Sequence, residues 1–296
     1  MTAGERAPIL LEICIPTYNR SRFLDRILSQ VSAQVLEHQL DGQVRVHVSD
    51  NASTDDTRSV IEKWRGQRGD WSFSKHTANI GAAANYMYLV NASRARYVWL
   101  FGDDDEFVGN HGLVDVVESL VACRPALLVL SSVGGVGGEN GHRSFPQLSE
   151  YADDAIRRDV DIFRRLTWIT ANVFRPELMS LGLTAPGLER EAYIQAFCLW
   201  SGMSKINGHV CELTNLLVQP ASQNGFRQEG TFPSQKNIRQ EHYRLYSYLA
   251  YSFREPLLRK YAASKYCPPM PGLARLLFEI EVTLKARFRM SKLRRP

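Results

Sequence analysis

Four consecutive acids, Asp103-Asp104-Asp105-Glu106, are the residues of this chain whose types and spacing most directly suggest chemistry. Carboxylates packed this tightly repel one another and lose hydration when shielded, so they persist in water or around a hard cation. They follow Tyr97-Val98-Trp99-Leu100-Phe101, an apolar run that reads as a buried strand, with Gly102 at its end. Such a strand should end in a turn well before four charges. The acids are therefore either a metal site or a heavily solvated loop, and the run by itself leaves both open.

The elements that must position them come in a regular order. Residues 9–15 form a first strand, ended by Pro16, and Thr17-Tyr18-Asn19-Arg20-Ser21 leads into a helix. That helix carries Phe23, Ile27, Val31 and Val35, with Leu24 and Leu28, as an apolar stripe at helical spacing. Residues 44–49 alternate as a second strand, stopping at Asp50-Asn51. Ser53 then offers an N-cap with an acid, Asp56, three residues on, opening a helix through Trp64. Residues 71–75 form a short strand, and Asn79-Ile80-Gly81 turns into an Ala-rich helix over 82–92. Strand 97–101, the acids and a helix over 113–123 complete β-α-β-α-β-α-β, an α/β pattern with a mostly parallel sheet.

In open sheets of this kind ligands sit at the carboxyl ends of the strands. The notable polar residues fall there: Thr17 and Asn19, Asp50 and Asn51, Asn79 and Gly81, then the acids. One ligand with a base, a ribose, phosphates and a cation could touch all four ends. Each motif alone has a plain structural reading as a turn, a cap or a helix start; their joint placement favours function.

The second half is less regular. After a strand over 126–133, residues 134–141 hold five glycines in eight positions. That loop lacks the Lys-Ser/Thr of a P-loop, so it reads as a loop over a site or a surface excursion. An amphipathic helix is expected over 153–166, through Ile156, Val160, Phe163 and Leu166, then a strand over 168–174 stopped by Pro176. Glu189-Arg190-Glu191 begins a further helix with Tyr193, Phe197 and Trp200, and residues 208–217 make one more strand.

With 296 residues, 44% hydrophobic and 23% charged, the chain has the profile of a soluble globular protein. No apolar run reaches membrane-spanning length, and residues 1–8 lack a signal core, so a cytoplasmic location is expected. Five scattered cysteines without a CxxC pair suit a reducing compartment. From residue 254 onward, eleven Lys/Arg and three Glu give +8 of a net +5, so the first 253 residues carry −3. Basicity confined to the tail argues against a nucleic-acid partner in the body of the protein. The last helix puts Leu273, Leu276, Leu277, Ile280, Leu284 and Phe288 on one face, with Lys285, Arg287, Arg289, Lys292, Arg294 and Arg295 at its end. Such a helix suits an anionic membrane surface, as a peripheral contact, the alternative being a helix packed on the core with a solvated basic end.

The four strand ends together resemble the family 2 glycosyltransferases of the GT-A fold. The resemblance is carried by Ile15-Pro16-Thr17-Tyr18-Asn19-Arg20, by residues 49–57 (Ser-Asp-Asn-Ala-Ser-Thr-Asp-Asp-Thr), by Asn79-Ile80-Gly81-Ala82-Ala83-Ala84-Asn85, and by Gly102-Asp103-Asp104-Asp105. It covers about the first 120 residues, and residues 168–178 resemble a feature of O-antigen-type, abequosyltransferase-like members. It implies a nucleotide-diphospho-sugar transferase with a Rossmann-like mixed sheet over 8–234, divided into a nucleotide half (8–123) and an acceptor half (124–234). A helical basic extension over 235–296 would follow.

The resemblance further implies that Pro16, Thr17, Tyr18, Asn19 and Arg20 line the nucleotide, with Asn51 and Asp103 beside them. Asp50 would accept the N3–H of uracil or thymine, a bond suited to an acceptor-only carboxylate. Asn79 would reach the base or ribose, with Gly81 allowing close approach. Mg²⁺ or Mn²⁺ would be held against the donor's diphosphate by Asp104, then Asp103 and Asp105. The family's Asp-x-Asp, aligned on the preceding strand, would begin at Gly102, where this chain has no acid. Its Glu-Asp base pair is also absent, leaving Glu191 and Glu189 as the base candidates, with Asp153 or Asp154 as fallback. Trp168, Asn172, Trp200 and Arg227 are candidates to line a sugar, core packing being the alternative for both tryptophans. The donor would be a UDP-, dTDP- or CDP-sugar and the acceptor a saccharide or lipid-linked saccharide. Rival readings are a nucleotidyltransferase, which wants a Gly/Arg/Lys loop after strand one, a non-catalytic nucleotide-sugar binder, and a transferase acting on a soluble small-molecule acceptor.

Overall fold

The computed structural model describes residues 9–131, 141–160, 162–182, 193–206 and 208–221. The first half alternates as expected: β1 (Leu11–Thr17), α1 (Ser21–Glu37), β2 (Val44–Asp50), α2 (Thr57–Gln67), β3 (Ser72–Lys75), α3 (Ala82–Ala92) and β4 (Tyr97–Leu100). There follow β5 (Asp105–Phe107), α4 (Gly112–Cys123), β6 (Leu127–Ser131), β7 (His142–Phe145), α5 (Leu148–Arg157), α6 (Ile162–Thr167), β8 (Asn172–Phe174), α7 (Glu177–Gly182), α8 (Ile194–Ile206), β9 (Val210–Leu216) and β10 (Val218–Pro220). Eight strands form one mixed sheet in the order β3-β2-β1-β4-β8-β6-β9-β7. The β3-β2-β1-β4 part is parallel, whereas β8 runs antiparallel to both β4 and β6, and β7 to β9.

The strand over 97–101 shows why an unbroken apolar run belongs in the middle of such a sheet. Tyr97, Trp99 and Phe101 pack with α1, α2 and α4 on one face, and Val98 and Leu100 with α3, α5 and α8 on the other. β1 divides likewise, Leu11, Ile13 and Ile15 against Cys14.

Several expectations are corrected. Pro16 does not end β1, which runs on to Thr17 and pairs with Ser49 at Pro16. Its neighbour β4 pairs with β1 only through Cys14, so the N–H that Pro16 lacks would have faced past the end of that ladder. Ser53 is not the cap of α2; the helix starts four residues later, at Thr57, with Asp56 at the N-cap. The helix expected over 153–166 is two helices. Asp159, at φ 55°, closes the first, with the Asp159 and Val160 amides returning to the Ile156 and Ala155 carbonyls. The strand expected from Trp168 begins at Asn172, because Ile169–Ala171 forms a 3₁₀ turn. The acids are not a solvated loop either. Asp105–Phe107 is itself a strand, paired antiparallel with Val218–Pro220, and Asp103 and Asp105 are buried.

Among the described residues no helix is long and apolar enough to cross a membrane. The basic tail, the glycine-rich loop up to residue 140, and Glu189, Glu191 and Arg227 lie outside the described residues.

Candidate active site

The strand order 3-2-1-4 reverses direction between β1 and β4, which opens a crevice at their carboxyl ends. The tip of β1 is joined to the acids there: Thr17 Oγ1 donates to Asp103 Oδ2 at 2.7 Å. Asn19 takes a left-handed backbone (φ 54°), tolerable for Asn, and turns the chain sharply into α1. Its amide donates to Ser53 Oγ (2.9 Å) and its Oδ1 accepts the Thr54 amide (2.7 Å), while Asp55 Oδ2 accepts the Ser21 amide (3.0 Å). The Ser53 hydroxyl read as a helix cap thus binds the first strand end to the second, together with Asp55. Tyr18 stands exposed at the mouth.

Behind it lies Asp50, wholly buried. Its Oδ1 accepts the Ser53 amide at 2.8 Å, while Oδ2 has no hydrogen-bond partner and lies 3.4 Å from the Lys75 ammonium. A buried carboxylate oxygen left without a donor is costly, and a ligand N–H would remove that cost. Asn51 connects this floor to the third strand end. Its Nδ2 donates to Asn79 Oδ1 and its Oδ1 accepts the Ile80 amide, both at 2.9 Å. Gly81 then sits at φ 85°, ψ 158°, a conformation only glycine adopts readily, and starts α3. From α3, Asn85 reaches back: Ser49 Oγ donates to its Oδ1 (2.6 Å), and His76 Nε2 lies 3.1 Å from the same oxygen.

The acids divide into two groups. Asp103 and Asp104 meet at one cation, Arg20 Nη1, which is 2.9 Å from Asp103 Oδ1 and 2.8 Å from Asp104 Oδ2. Burial pushes the Asp103 carboxyl up to about 6, against the pull of Arg20 and with Asp104 adding to the rise. Burial lowers the Arg20 guanidinium, but Asp103 and Asp104 together hold it above its ordinary value. Asp105 faces the other way in the network. Its Oδ2 accepts Trp168 Nε1–H (2.8 Å) and the Thr170 hydroxyl, whose oxygen accepts the Gly102 amide (2.8 Å). Burial raises its carboxyl to about 7, against those two donors and with Asp104 adding to the rise. Tyr86, on α3, is held at about 12, first by burial and then by the charges of Asp103 and Asp104.

The family model described as Glycosyl transferase family 2 matches residues 12–171, which contain all of these groups. The chain belongs to glycosyl transferase family 2. Abequosyltransferase RfbV of Salmonella typhimurium (strain LT2) is 33% identical over 98 residues, 33% of this chain and 28% of that protein. Validoxylamine A glucosyltransferase of Streptomyces hygroscopicus subsp. jinggangensis is 30% identical over 152 residues, 50% of this chain and 35% of that protein. The matches thus span about a third of the length of these curated relatives. Among solved structures, S. aureus TarS 1–349 in complex with UDP-GlcNAc superposes with a TM-score of 0.60 at 16% identity, covering 95% of this chain and 73% of that one. Mannosyltransferase PcManGT from Pyrobaculum calidifontis, in complex with GDP-Man and Mn²⁺, gives 0.57 at 14% identity, covering 96% and 84%. These likenesses establish the GT-A fold.

For a family 2 chain, the residues present fit a hard divalent cation. Two carboxylates already converge on one cationic nitrogen, and their oxygens suit Mg²⁺ or Mn²⁺. Among the described residues no three His, Cys, Asp or Glu side chains gather as a group that could hold a metal ion by themselves. Pro16, Thr17, Tyr18, Asn19, Arg20, Asp50, Asn51, Asn79, Gly81, Asp103 and Asp104 come together at this edge of the sheet. Asp105 is adjacent but engaged by Trp168 and Thr170. Asp154 is occupied by Arg158 at 2.7 Å, and Asp153 is exposed on α5. Asn172 is wholly buried and its Nδ2 ties the Arg165 and Trp168 carbonyls; Trp200 is packed in the core.

Sequence reasoning gave no role to Lys75, Asn85, Tyr86 or Thr170. Lys75 and Asn85 carried a weak signal, since each lies within a few residues of the third strand end. Thr170 carried none, because it reaches Gly102 across 68 residues.

Proposed function

We propose that this family 2 chain is a metal-dependent inverting glycosyltransferase that uses a UDP- or dTDP-sugar, with CDP allowed. The observation that carries this reading is the pairing, at one sheet edge, of a buried carboxylate oxygen without a donor and two carboxylates sharing one cation. Asp50 Oδ2 accepts the N3–H of a uracil or thymine ring, with Asn79 and Gly81 against the base or ribose. Pro16 through Arg20 follow the nucleotide toward Asp103 and Asp104. These two carboxylates would hold Mg²⁺ or Mn²⁺, whose charge would offset that of the departing nucleoside diphosphate. The acceptor hydroxyl oxygen bonds to the anomeric carbon as the carbon–diphosphate bond breaks, and the hydroxyl proton passes to a carboxylate, for which Glu191 and Glu189 are the candidates. Asp105 acts as a strut behind the metal-binding acids.

The similarity to an abequosyltransferase supports a saccharide or lipid-linked saccharide acceptor in cell-surface polysaccharide synthesis, with the basic tail resting on the anionic inner membrane surface. The similarity to validoxylamine A glucosyltransferase, over half of this chain, favours a second reading with a soluble small-molecule acceptor. The test is a panel of UDP-, dTDP- and CDP-sugars with Mn²⁺, assayed for nucleotide binding, donor hydrolysis and transfer to both acceptor types. Binding with turnover is expected. Absence of both nucleotide binding and turnover overturns the proposal, and binding without turnover over many acceptors favours a non-catalytic sensor.

A further inference from the structure

Arg20 occupies an unusual place for a surface arginine. Its Nη1 bridges two acids adjacent in sequence, 2.9 Å from Asp103 Oδ1 and 2.8 Å from Asp104 Oδ2. The other Asp103 oxygen is already taken by Thr17 Oγ1. The guanidinium therefore covers the Asp103 oxygen that remains for a cation, together with one from Asp104. Asp103 is buried whereas the Arg20 side chain is 31% exposed and that of Asp104 42%, so Arg20 approaches from the open side of the crevice. Its backbone is fixed by the Asn19 turn and the start of α1, but the long side chain can swing while the acids stay in place.

We propose that Arg20 is a built-in placeholder for the divalent cation, which makes metal binding and nucleotide binding depend on each other. This deepens the donor-site reading given above and rests on it. A metal arriving alone must break both ion pairs and leaves a guanidinium beside a new double positive charge. A nucleoside diphosphate arriving with the metal supplies phosphate oxygens that a guanidinium can grip in bidentate fashion, so the displaced Arg20 gains a partner as it loses two. Linkage then requires that nucleotide strengthens metal binding by the same factor by which metal strengthens nucleotide binding. The site stays closed to free metal and opens to the metal–diphosphate pair.

The test is titration of the full chain with Mn²⁺, followed by the electron paramagnetic resonance signal of free Mn²⁺, with and without saturating UDP. Wild type, Arg20→Met and Arg20→Lys are compared. In wild type UDP is expected to tighten Mn²⁺ binding within the roughly 5- to 150-fold usual for coupled sites. Arg20→Met is expected to bind Mn²⁺ alone more tightly than wild type, while the effect of UDP shrinks to the part that phosphate oxygens supply by ligating the metal directly. Arg20→Lys keeps a charge and is expected to retain part of the coupling. Mn²⁺ affinity in wild type that is indifferent to UDP overturns the proposal. So does an Arg20→Met protein that binds Mn²⁺ alone no better than wild type, or that keeps the full UDP effect. If no protein binds Mn²⁺ with or without UDP, the metal reading itself falls, and the placeholder with it.

Discussion

The carboxylate oxygen Oδ2 of Asp105 lies 2.7 Å from the point where a Cβ on Gly102 would stand, with Asp104 Oδ1 at 3.2 Å. The position at which the family's first acid would fall is thus closed to any side chain while Asp105 keeps its place. Asp105 cannot yield cheaply, since Trp168 and Thr170 both donate to it. Gly102→Ala should therefore destabilise the fold by about 1–3 kcal/mol, the usual cost of overpacking with loss of hydrogen bonds. Urea unfolding measures this, and a wild-type midpoint would contradict the interlock. Gly102→Asp, which restores the family's acid in sequence, should likewise bring no gain in Mn²⁺ affinity.

Asp104 is the more open of the two acids that share Arg20. Asp104→Ala should abolish metal-dependent nucleotide binding while leaving the fold intact, because no core contact is lost. Calorimetric titration of UDP with and without Mn²⁺ reads this directly, and retained wild-type affinity rules out the assignment.

Asp50 tests the base pocket. Asp50→Asn keeps the shape but offers an amide where Oδ2 now waits for a donor. UDP affinity should fall roughly 10- to 100-fold, the equivalent of one hydrogen bond to a charged group. CDP should suffer less, since its ring nitrogen at that edge accepts instead of donating. An unchanged ratio of UDP to CDP affinity would show that Asp50 does not read the base.

His47 gives a pH dependence that is independent of the acids. It lies on β2, buried, with Nε2 3.1 Å from Ser74 Oγ and its ring edge-on to Tyr88. Burial holds its imidazole below the ordinary 6.5, against the pull of Glu12. The native state then binds fewer protons than the unfolded chain as pH falls through this range. The stability contribution is present above pH about 6.5 and is lost as pH drops through the lowered native value. Replacing His47 with Gln should flatten the fall in urea midpoint between pH about 7 and 5. An equal fall in both proteins would mean that another group carries it.

The strand-and-helix order of the first half was legible because each element carries its own period. The stripe of α1 and the alternation of β2 need no distant partner to be recognised. The second half was less so. The helix over 153–166 kept a helical pattern through Asp159, and nothing local announced that this residue would turn left-handed and close the first helix. β7 and β10 are short and were missed; they pair with β9 and β5 through backbone groups that any residue possesses.

By itself the sequence determined the four polar strand ends, their order, and the family they belong to, since these depend on which residues follow which strand. Only the tertiary structure decided how the acids divide their work. Asp103, Asp104 and Asp105 are chemically alike and adjacent in sequence, yet Thr17 and Arg20 draw the first two into the crevice while Trp168 and Thr170 hold the third behind it. Those partners stand 63 to 86 residues away. A carboxylate's role is set by the donors around it, and that environment exists only once the chain has folded.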